Sequence, residues 1–277
     1  MTTQKNLAEG AAPIIYQVQL PVSTRTLQVV SDLISARRKK IGSRWRKALP
    51  GKQAIIALAV LRHDQRLLDL AGGNGVSAST IRRWVLEVID LLAARAPRLD
   101  RVLATTARTG GEVVLLDGTL IPTHRRSGHD NRRYYSGKHK RHGLLFLALT
   151  DDAGNLLWLS AATPGRASEV TTARHAKLTT KLRDAGLGAM CDLGFTGLED
   201  DPTQPVIIIG RRAARARPLT DAEKQANQLL ARERAAGEHG FADLKNWRIL
   251  TRLRMHTRHA TRLLRALLVL TNLEITR

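Results

Sequence analysis

Three acidic residues are spaced along the chain in a way that could hold divalent metal ions. Asp117 ends the apolar, β-branched run 112–116, and Asp192 ends a shorter apolar run, 188–191. Glu238 lies in a segment whose residues have helical spacing. Carboxylate oxygens are hard ligands that suit Mg²⁺ or Mn²⁺. Two such ions held about 3.5–4 Å apart would activate the attacking oxygen and stabilise the leaving oxygen in a phosphoryl transfer.

Each acid also has an ordinary structural explanation. A lone aspartate after a strand is more often a turn residue than a metal ligand, and Glu233 competes with Glu238 for the third position. Glu238 is favoured because it lies four residues after Arg234 and seven before Lys245, so that the three share one helix face. The acids at 117, 192 and 238 are therefore the predicted catalytic metal ligands. Arg234 and Lys245 are predicted to hold phosphate beside them.

The charge balance indicates a polyanionic partner. The 277 residues carry 45 Lys and Arg against 24 Asp and Glu, a formal net charge of +21. Nucleic acid is the expected partner of such a chain. No apolar stretch approaches the roughly 20 residues of a membrane-spanning helix, and residues 1–20 lack the apolar core of a secretory signal. The single cysteine, Cys191, excludes an internal disulfide framework. We therefore expect a cytoplasmic protein with no membrane association.

The first 49 residues are weakly patterned and end in two basic runs. Residues 37–40 and 44–47 together hold seven cations and no acid. Such a segment is either a solvated face or an arm that follows DNA phosphates. We assign residues 1–49 to a basic N-terminal arm, because Pro50-Gly51 then punctuates the chain.

Residues 50–97 have helical spacing and predict a helix-turn-helix domain. A first helix starts near Lys52 and a second covers about 65–71. The glycine-rich run 72–75 is predicted to break the second helix. Ser77 fits the N-cap of a third helix, whose apolar residues fall on one face.

The start of that third helix carries the residues expected to contact DNA. The small Ala71 would let the helices approach, and Gly75 would permit the turn. The first turns would then face a major groove. They hold short polar residues and arginines, namely Ser79, Thr80, Arg82 and Arg83. An ordinary three-helix packing unit has the same periodicity and is the alternative.

Residues 98–111 are predicted to be a linker, after which the pattern changes to strands. Three strands in a meander are followed by alternating helices and strands, which is the order of a ribonuclease H-like α/β domain, a mixed sheet flanked by helices. That fold brings the ends of its first and fourth strands side by side, so Asp117 and Asp192 could share a metal ion. We therefore assign residues 112–277 to a ribonuclease H-like catalytic domain. The predicted strands are 112–117, 143–150, 156–161, 188–191 and 205–210, and the predicted helices are 169–185, 221–254 and 257–272.

The loop 122–142 is rich in cations and contains the aromatic pair Tyr134-Tyr135. Lys138, Lys140 and Arg141 within it are predicted to contact DNA. Its histidines could instead indicate zinc, and they are His124, His129, His139 and His142. DNA contact is the better interpretation, because the chain has no thiolate-rich site and no helical histidine pair.

Six short motifs, taken in order along the chain, resemble DDE transposases of bacterial insertion sequences and their Harbinger-like eukaryotic relatives. They are Asp117-Gly118-Thr119, Tyr135-Ser136-Gly137-Lys138-His139-Lys140-Arg141-His142-Gly143, Pro164-Gly165-Arg166, Asp192-Leu193-Gly194-Phe195, Arg234-x3-Glu238-x6-Lys245 and Glu238-His239-Gly240-Phe241-Ala242-Asp243-Leu244-Lys245. The resemblance runs from about residue 50 to the end and includes the helix-turn-helix. Each motif is weak alone, but the ordered set is specific.

The resemblance implies a metal-dependent transposase. Such an enzyme binds the terminal inverted repeats of its own element, nicks by hydrolysis and joins the freed 3′ hydroxyl to target DNA. The implied catalytic acids are Asp117, Asp192 and Glu238, with a pair of Mg²⁺ or Mn²⁺ ions. The implied partners are double-stranded DNA, as element ends and as target, and further copies of the chain acting on paired ends. The implied location is the nucleoid.

The chain departs from the family pattern at three positions. Ala231 stands where relatives often have Tyr, and Glu169 stands where they commonly have Asp. Gly237 weakens a helix by roughly 1 kcal/mol relative to Ala, which indicates a close approach to DNA or decay of the element. A catalytically inactive helix-turn-helix regulator, or a decayed transposase, is therefore the alternative function. A ribonuclease H-like enzyme that cleaves RNA would leave the helix-turn-helix unexplained.

Overall fold

The computed structural model describes residues 19–43, 47–214 and 217–275, without the side chain of Glu238. Residues 1–18 of the predicted arm and most of the basic run 44–47 lie outside the described residues. The described helices are α1 (Thr24–Lys40), α2 (Pro50–His63), α3 (Leu67–Asn74), α4 (Ala78–Ala93), α5 (Leu99–Arg108), α6 (Asp130–Tyr134), α7 (Glu169–His175), α8 (Leu178–Asp184), α9 (Asp221–Lys245) and α10 (Thr257–Ile275). The described strands are β1 (Val113–Pro122), β2 (Tyr135–Ser136), β3 (Arg141–Thr150), β4 (Leu156–Leu159), β5 (Thr163–Pro164), β6 (Gly188–Cys191) and β7 (Ile207–Ile209).

The described strands form a mixed sheet with β1 near its centre. Along the sheet the order is β2-β3-β1-β6-β7, and β4 and β5 also pair with β3. β1 is antiparallel to β3 and parallel to β6, and β6 is parallel to β7. β3 is buried along nearly its whole length, as expected for a strand that is covered on both faces. The mixed, helix-flanked α/β architecture agrees with the prediction.

β1 is longer than predicted, because its pairing with one neighbouring strand continues beyond the point where its pairing with the other ends. The predicted strand end was Asp117, but β1 continues to Pro122. On one side β3 pairs with β1 from Leu115 to Pro122. On the other side β6 pairs with β1 only as far as Leu116. Asp117 therefore lies where the parallel side of β1 opens, and not at the end of the strand.

The segment predicted to be a basic arm contains helix α1. Ser23 caps this helix, because its hydroxyl accepts a hydrogen bond from the N–H of Thr26 at 3.1 Å. Val30 and Ile34 are buried in a core that also contains residues of α2 and α4. The prediction missed the helix because its last turn, 37–40, is entirely basic and resembles a solvated arm.

Helices α3 and α4 follow the predicted order, with one difference at the glycines. α3 continues through Gly72 and Gly73, which were predicted to break it. Gly75 alone adopts the left-handed conformation, with φ +62°. Ser77 caps α4 as predicted, because its hydroxyl accepts a hydrogen bond from the N–H of Thr80 at 3.2 Å.

The predicted linker, residues 98–111, contains helix α5. Leu99, Val102 and Leu103 lie on one face of α5 and are buried together with residues of the sheet. The linker prediction is corrected in this respect. A periodic pattern of only three apolar residues does not indicate a helix, because Pro97 precedes it and Gly110-Gly111 follows.

Two hydrophobic cores cover the two faces of the sheet. One contains residues of α1, α2, α4 and α10 packed against β1, β3 and β4, and the other contains residues of α5, α7 and α8. The leucines on one face of α10 are all buried, namely Leu263, Leu264, Leu267 and Leu268. Among the described helices, none combines the length and the apolar character needed to cross a bilayer.

The single helix predicted at 169–185 is two helices, α7 and α8. Lys177, between them, has φ +53° and so adopts the left-handed conformation that interrupts a helix. The local pattern did not indicate this break, because apolar residues continue at helical spacing across it.

Helix α9 approaches the sheet closely at two glycines, and it ends at Lys245 rather than near Arg254. A Cβ built on Gly237 would lie 3.2 Å from Thr150 Oγ1. A Cβ built on Gly240 would lie 2.6 Å from the carbonyl oxygen of Gly154. Packing on the sheet therefore explains Gly237, for which the sequence alone indicated an approach to DNA or decay.

Gly240→Ala should destabilise the protein by about 1–3 kcal/mol, because the new methyl group must displace a packed backbone carbonyl. Gly73→Ala is the matched control. It also replaces a helical glycine, but the new Cβ would have no neighbouring atom within 4 Å. The control should stabilise the protein by up to about 1 kcal/mol. Equilibrium unfolding in urea measures both free energies. Equal stability of the two variants would contradict the contact between α9 and Gly154.

Candidate active site

Asp117 and Asp192 lie side by side where the parallel strands β1 and β6 part. Leu116 and Cys191 are the last pair in parallel register. The next residue on each chain segment is the aspartate. The charge of Asp192 contributes to the pKa of Asp117, as expected for neighbouring carboxylates. The structure therefore brings these two predicted site residues together.

Each aspartate is oriented by the backbone of a glycine that follows it. The N–H of Gly118 donates to Asp117 Oδ1 at 2.8 Å, and the N–H of Gly194 donates to Asp192 Oδ1 at 2.8 Å. No other hydrogen-bond donor contacts either carboxylate within the described part of the chain. Each carboxylate is thus held through one oxygen and keeps the other oxygen for a ligand.

Glu169 places a third carboxylate beside the two glycines that follow the aspartates. A Cβ built on Gly118 would lie 3.0 Å from Glu169 Oε1, and one built on Gly194 would lie 2.1 Å from Glu169 Oε2. Both positions must therefore lack a side chain for Glu169 to occupy this place. The side chain of Glu169 is only 11% exposed.

Glu169 owes this position to the start of helix α7. Ser168 caps α7 by accepting a hydrogen bond from the N–H of Thr171 at 3.0 Å, and Glu169 is the first helical residue. In the sequence, Glu169 stood out only as a departure from the family pattern. The signal that could have identified it is an acid at a family position that usually holds Asp, together with a glycine close behind each aspartate.

Two cations accompany the three carboxylates. Lys138 Nζ lies 3.1 Å from Glu169 Oε1. Burial lowers the pKa of Lys138, but the hydrogen bond to Glu169 and the charges of Glu169, Asp192 and Asp117 outweigh it, so the pKa lies above its ordinary value. Arg234, on α9, is close enough to lower the pKa of Asp117. Lys138 therefore remains charged beside the acids at neutral pH.

Burial raises the pKa of Asp117 above its ordinary value. The N–H of Gly118 and the charge of Arg234 oppose this shift, whereas the charges of Asp192 and Glu169 add to it. The carboxylate of Asp117 is thus costly to ionise in the absence of a cation. A bound cation would relieve that cost, which is the electrostatic behaviour expected of a metal ligand.

Glu238 lies in the middle of α9, one helical turn after Arg234. Its side chain is outside the described residues, so its role as the third ligand stays a prediction. Its competitor Glu233 is exposed. Within the described residues, no three His, Cys, Asp or Glu side chains are arranged to hold a metal ion. Glu169 is near both aspartates, but one of its oxygens is bonded to Lys138.

Further cations predicted to contact DNA lie in the hairpin that carries Lys138 and at the end of α9. Lys138 and Lys140 belong to the turn between β2 and β3, where Lys140 has φ +50°. Arg141 is exposed at the start of β3. Lys245, at the end of α9, lies 5.8 Å from the centroid of the Phe241 ring. Contact with DNA stays a prediction for each of them.

The histidines of the loop are engaged separately and do not form a zinc site among the described residues. His142 Nε2 lies 2.8 Å from Asn131 Oδ1. His124 Nε2 accepts a hydrogen bond from Arg254 at 3.0 Å. Burial and the charge of Lys138 lower the pKa of His139, so this ring is neutral at neutral pH.

The start of α4 presents the predicted DNA-contacting residues at the surface. Ser79, Arg82 and Arg83 are exposed, and Thr80 is half-buried. The hydroxyl of Thr80 accepts a hydrogen bond from Arg83 at 3.2 Å. Ala71 is buried, so the side chain expected to let the helices approach does lie in the core.

A mixed sheet flanked by helices, with neighbouring aspartates where two parallel strands part, is compatible with a nuclease-like α/β enzyme. A sequence profile of the family described as DDE superfamily endonuclease matches residues 116–272, which is more than half of the chain. The chain therefore belongs to this family, within the nuclease and transposase class of enzymes. The match includes all three predicted catalytic acids and Glu169. No curated protein and no solved structure matches the chain.

Asp117→Asn should raise the thermal unfolding temperature of the metal-free protein at neutral pH. The pKa of Asp117 is higher in the folded chain than its ordinary value of 3.8. The folded state therefore binds a proton more tightly than the unfolded state, and it loses stability as the pH rises through the raised pKa. The advantage of Asn should shrink as the pH falls towards 3.8. Scanning calorimetry in the presence of a chelator measures this difference across the pH range.

Asp152→Asn is the matched control, because Asp152 is exposed in the hairpin between β3 and β4. It should give no such gain. An Asp117→Asn protein that is no more stable than the parent at neutral pH would show that the buried charge is not costly.

Proposed function

We propose that this protein is a transposase that binds the terminal inverted repeats of its insertion sequence and catalyses metal-dependent DNA cleavage and strand transfer. The observation that carries the proposal is the parallel pairing of β1 with β6, which sets Asp117 beside Asp192. These aspartates lie within the region that matches the DDE superfamily endonucleases. The Harbinger-like character and the helix-turn-helix belong to the same proposal.

The order of the strands supports a ribonuclease H-like catalytic domain. Apart from the two-residue strands β2 and β5, the order across the sheet is β4-β3-β1-β6-β7. The first three strands are antiparallel neighbours, and the last three are parallel. The first and fourth of these strands in the sequence, β1 and β6, are therefore adjacent, which is the arrangement that this fold requires.

The chemistry of the donor set fits a divalent metal ion. Asp117 and Asp192 offer hard oxygen ligands, which Mg²⁺ and Mn²⁺ prefer. Each keeps one oxygen without a hydrogen-bond donor among the described residues. Asp117 and Asp192 would hold the metal ions, with Glu238 as the third ligand. Bound Mg²⁺ or Mn²⁺ would activate the attacking oxygen and stabilise the leaving oxygen.

The cations around the carboxylates would position the phosphodiester. Lys138, whose side chain is 62% exposed, places its ammonium group beside Glu169, and Arg234 lies near Asp117. Arginine binds phosphate through a two-pronged fork, and lysine binds it as a point charge. A phosphate held by these two groups would lie next to the aspartates, where it reacts. Glu169 keeps Lys138 close to the reacting group.

The surface of α4 supports recognition of double-stranded DNA. Its exposed polar and cationic side chains lie at the start of a capped helix that follows a tight left-handed turn at Gly75. This is the arrangement in which the second helix of a helix-turn-helix enters the major groove. The net charge of +21 supports binding to a polyanion. Further copies of the chain would act on the paired ends of the element.

Substitution of each catalytic acid should abolish Mg²⁺-dependent cleavage of DNA that flanks the gene, while DNA binding is retained. The variants are Asp117→Asn, Asp192→Asn and Glu238→Gln, which remove the metal-binding charge at nearly constant volume. Glu233→Gln is the control, because it alters an exposed acid of the same helix, and it should keep full activity. Strand cleavage is measured on labelled duplexes, and binding is measured by electrophoretic mobility.

Cleavage that persists in the Glu238→Gln protein would eliminate Glu238 as the third ligand. Loss of cleavage in Glu169→Gln would then assign the role of third metal ligand to Glu169. If the parent binds DNA but does not cleave it with Mg²⁺ or Mn²⁺, the protein is the inactive regulator of the alternative function.

Arg82→Ala and Arg83→Ala should each weaken binding to the element ends by roughly 1–3 kcal/mol if the side chain contacts a base. An arginine that binds a phosphate would instead lower the slope of the salt dependence by about one unit when it is replaced. Arg108→Ala, at an exposed arginine of α5, controls for the general loss of charge and should have little effect. Unchanged binding by both variants of α4 would refute the helix-turn-helix.

A further inference from the structure

A cavity of about 720 Å³ lies beside the hairpin formed by β2 and β3. Its walls carry three arginines, Arg125, Arg132 and Arg166, and the rings of Tyr135 and His142. The volume is within the range of roughly 300–1,000 Å³ that is usual for ligand pockets. The three described carboxylates of the candidate active site do not line this cavity.

The walls of the cavity are held in place by hydrogen bonds. Tyr135 and His142 are partners in the ladder between β2 and β3. His142 Nε2 lies 2.8 Å from Asn131 Oδ1, which fixes the imidazole ring. The N–H of Arg166 donates to the carbonyl oxygen of Arg133 at 3.3 Å and so ties the neighbouring loop to α6. The backbone around the cavity and the His142 ring are therefore fixed by the fold.

Tyr135 offers an open aromatic surface at this cavity. The residue is 42% exposed. His142 meets the ring at an interplanar angle of 67°, with the centroids 5.3 Å apart, which is an edge contact. The neighbouring Tyr134 is buried, and Arg126 lies over its ring at 5.1 Å. Of this aromatic pair, Tyr135 is thus the ring on which a base can stack.

The three arginines supply positive charge that no acid among the described residues pairs with. Arg125, Arg132 and Arg166 are exposed, and no acid of the described residues pairs with them. Guanidinium groups bind phosphate with two parallel hydrogen bonds. An aromatic surface for a base and cations for phosphate together match the chemistry of a nucleotide.

The hairpin connects this cavity to the carboxylate cluster. Lys138, in its turn, donates a hydrogen bond to Glu169, and Tyr135 lies three residues before Lys138. Three residues of chain span at most about 11 Å, and successive nucleotides of a DNA strand rise about 3.4 Å. A nucleotide on Tyr135 would thus be within a few positions of a phosphate held at the carboxylates.

We propose that this cavity binds one nucleotide of the DNA substrate that has been turned out of the base stack beside the cleaved phosphodiester. The base stacks on Tyr135, and the guanidinium groups of Arg132 and Arg166 hold the adjoining phosphates. Opening a base pair has an energetic cost, which the new stack offsets. The site rests on the proposed function, because its ligand is the DNA that the enzyme cleaves.

Binding to duplex DNA that flanks the gene tests the site, in an Asp117→Asn background that leaves the DNA uncut. Tyr135→Ala should weaken binding by roughly 5- to 150-fold, the loss expected when one stack between base and aromatic ring is removed. Tyr135→Phe keeps the ring and should bind as tightly as the Asp117→Asn background protein. Arg132→Ala should weaken binding, whereas Arg101→Ala, at an exposed arginine that does not line the cavity, should not.

An abasic nucleotide separates stacking on Tyr135 from general DNA binding. It is placed at each position around the cut in turn, in an otherwise identical duplex. At one position it should remove the difference between Tyr135→Ala and the background protein, because no base remains to stack. At the other positions the difference should persist. Thermal unfolding of every variant confirms that each is folded.

Equal binding of the normal duplex by Tyr135→Ala and the background protein would overturn the proposed nucleotide site. A difference that persists at every abasic position would overturn it as well. Neither result touches the proposed function, because cleavage by the protein with intact Asp117 reports on that function separately. A protein that neither binds nor cleaves this DNA would refute the proposed function and, with it, this site.

Discussion

The site depends on one feature of strand pairing: β1 has a parallel neighbour along only its first half. Pairing with β6 ends at Leu116, while pairing with β3 carries β1 on to Pro122. The backbone at Asp117 is therefore held on one side and open on the other. A strand that ended at Asp117 would leave this aspartate on a turn, where its position would vary. Continued pairing with β3 instead holds a half-buried carboxylate in place against repulsion from two neighbouring acids.

Helix α9 completes the surroundings of that carboxylate, and its docking explains why a long helix contains glycines. Gly237 and Gly240 each lower helix stability by roughly 1 kcal/mol relative to Ala. In return, the helix backbone comes close to the end of β3 and to the carbonyl of Gly154. The same helix carries Arg234 near Asp117. The two glycines thus lower the local stability of α9, and in exchange the helix packs close enough to the sheet to place Arg234 near the site.

Much of this arrangement could be predicted from the sequence, and the misses share a physical cause. The acid that follows β6, the Ser77 cap and the buried face of α10 all follow from local patterns that tertiary packing leaves unchanged. Helices α1 and α5 were missed because their few apolar residues are informative only against a surface that distant parts of the chain provide. Glu169 was underrated for the same reason, since the glycines that admit its carboxylate lie far from it in sequence.

Helices α4 and α10 pack in the same core as one face of the sheet, and Arg262 of α10 bonds to Asp90 of α4 at 2.9 Å. The surface proposed to recognise DNA is therefore joined to the carboxylates by packed side chains. The packing fixes the distance between the α4 surface and the carboxylates. In the proposed complex, the offset between the recognised base pairs and the cleaved phosphate would be a property of the fold. The ends of the mobile element would have to keep that spacing, whatever sequence lay between.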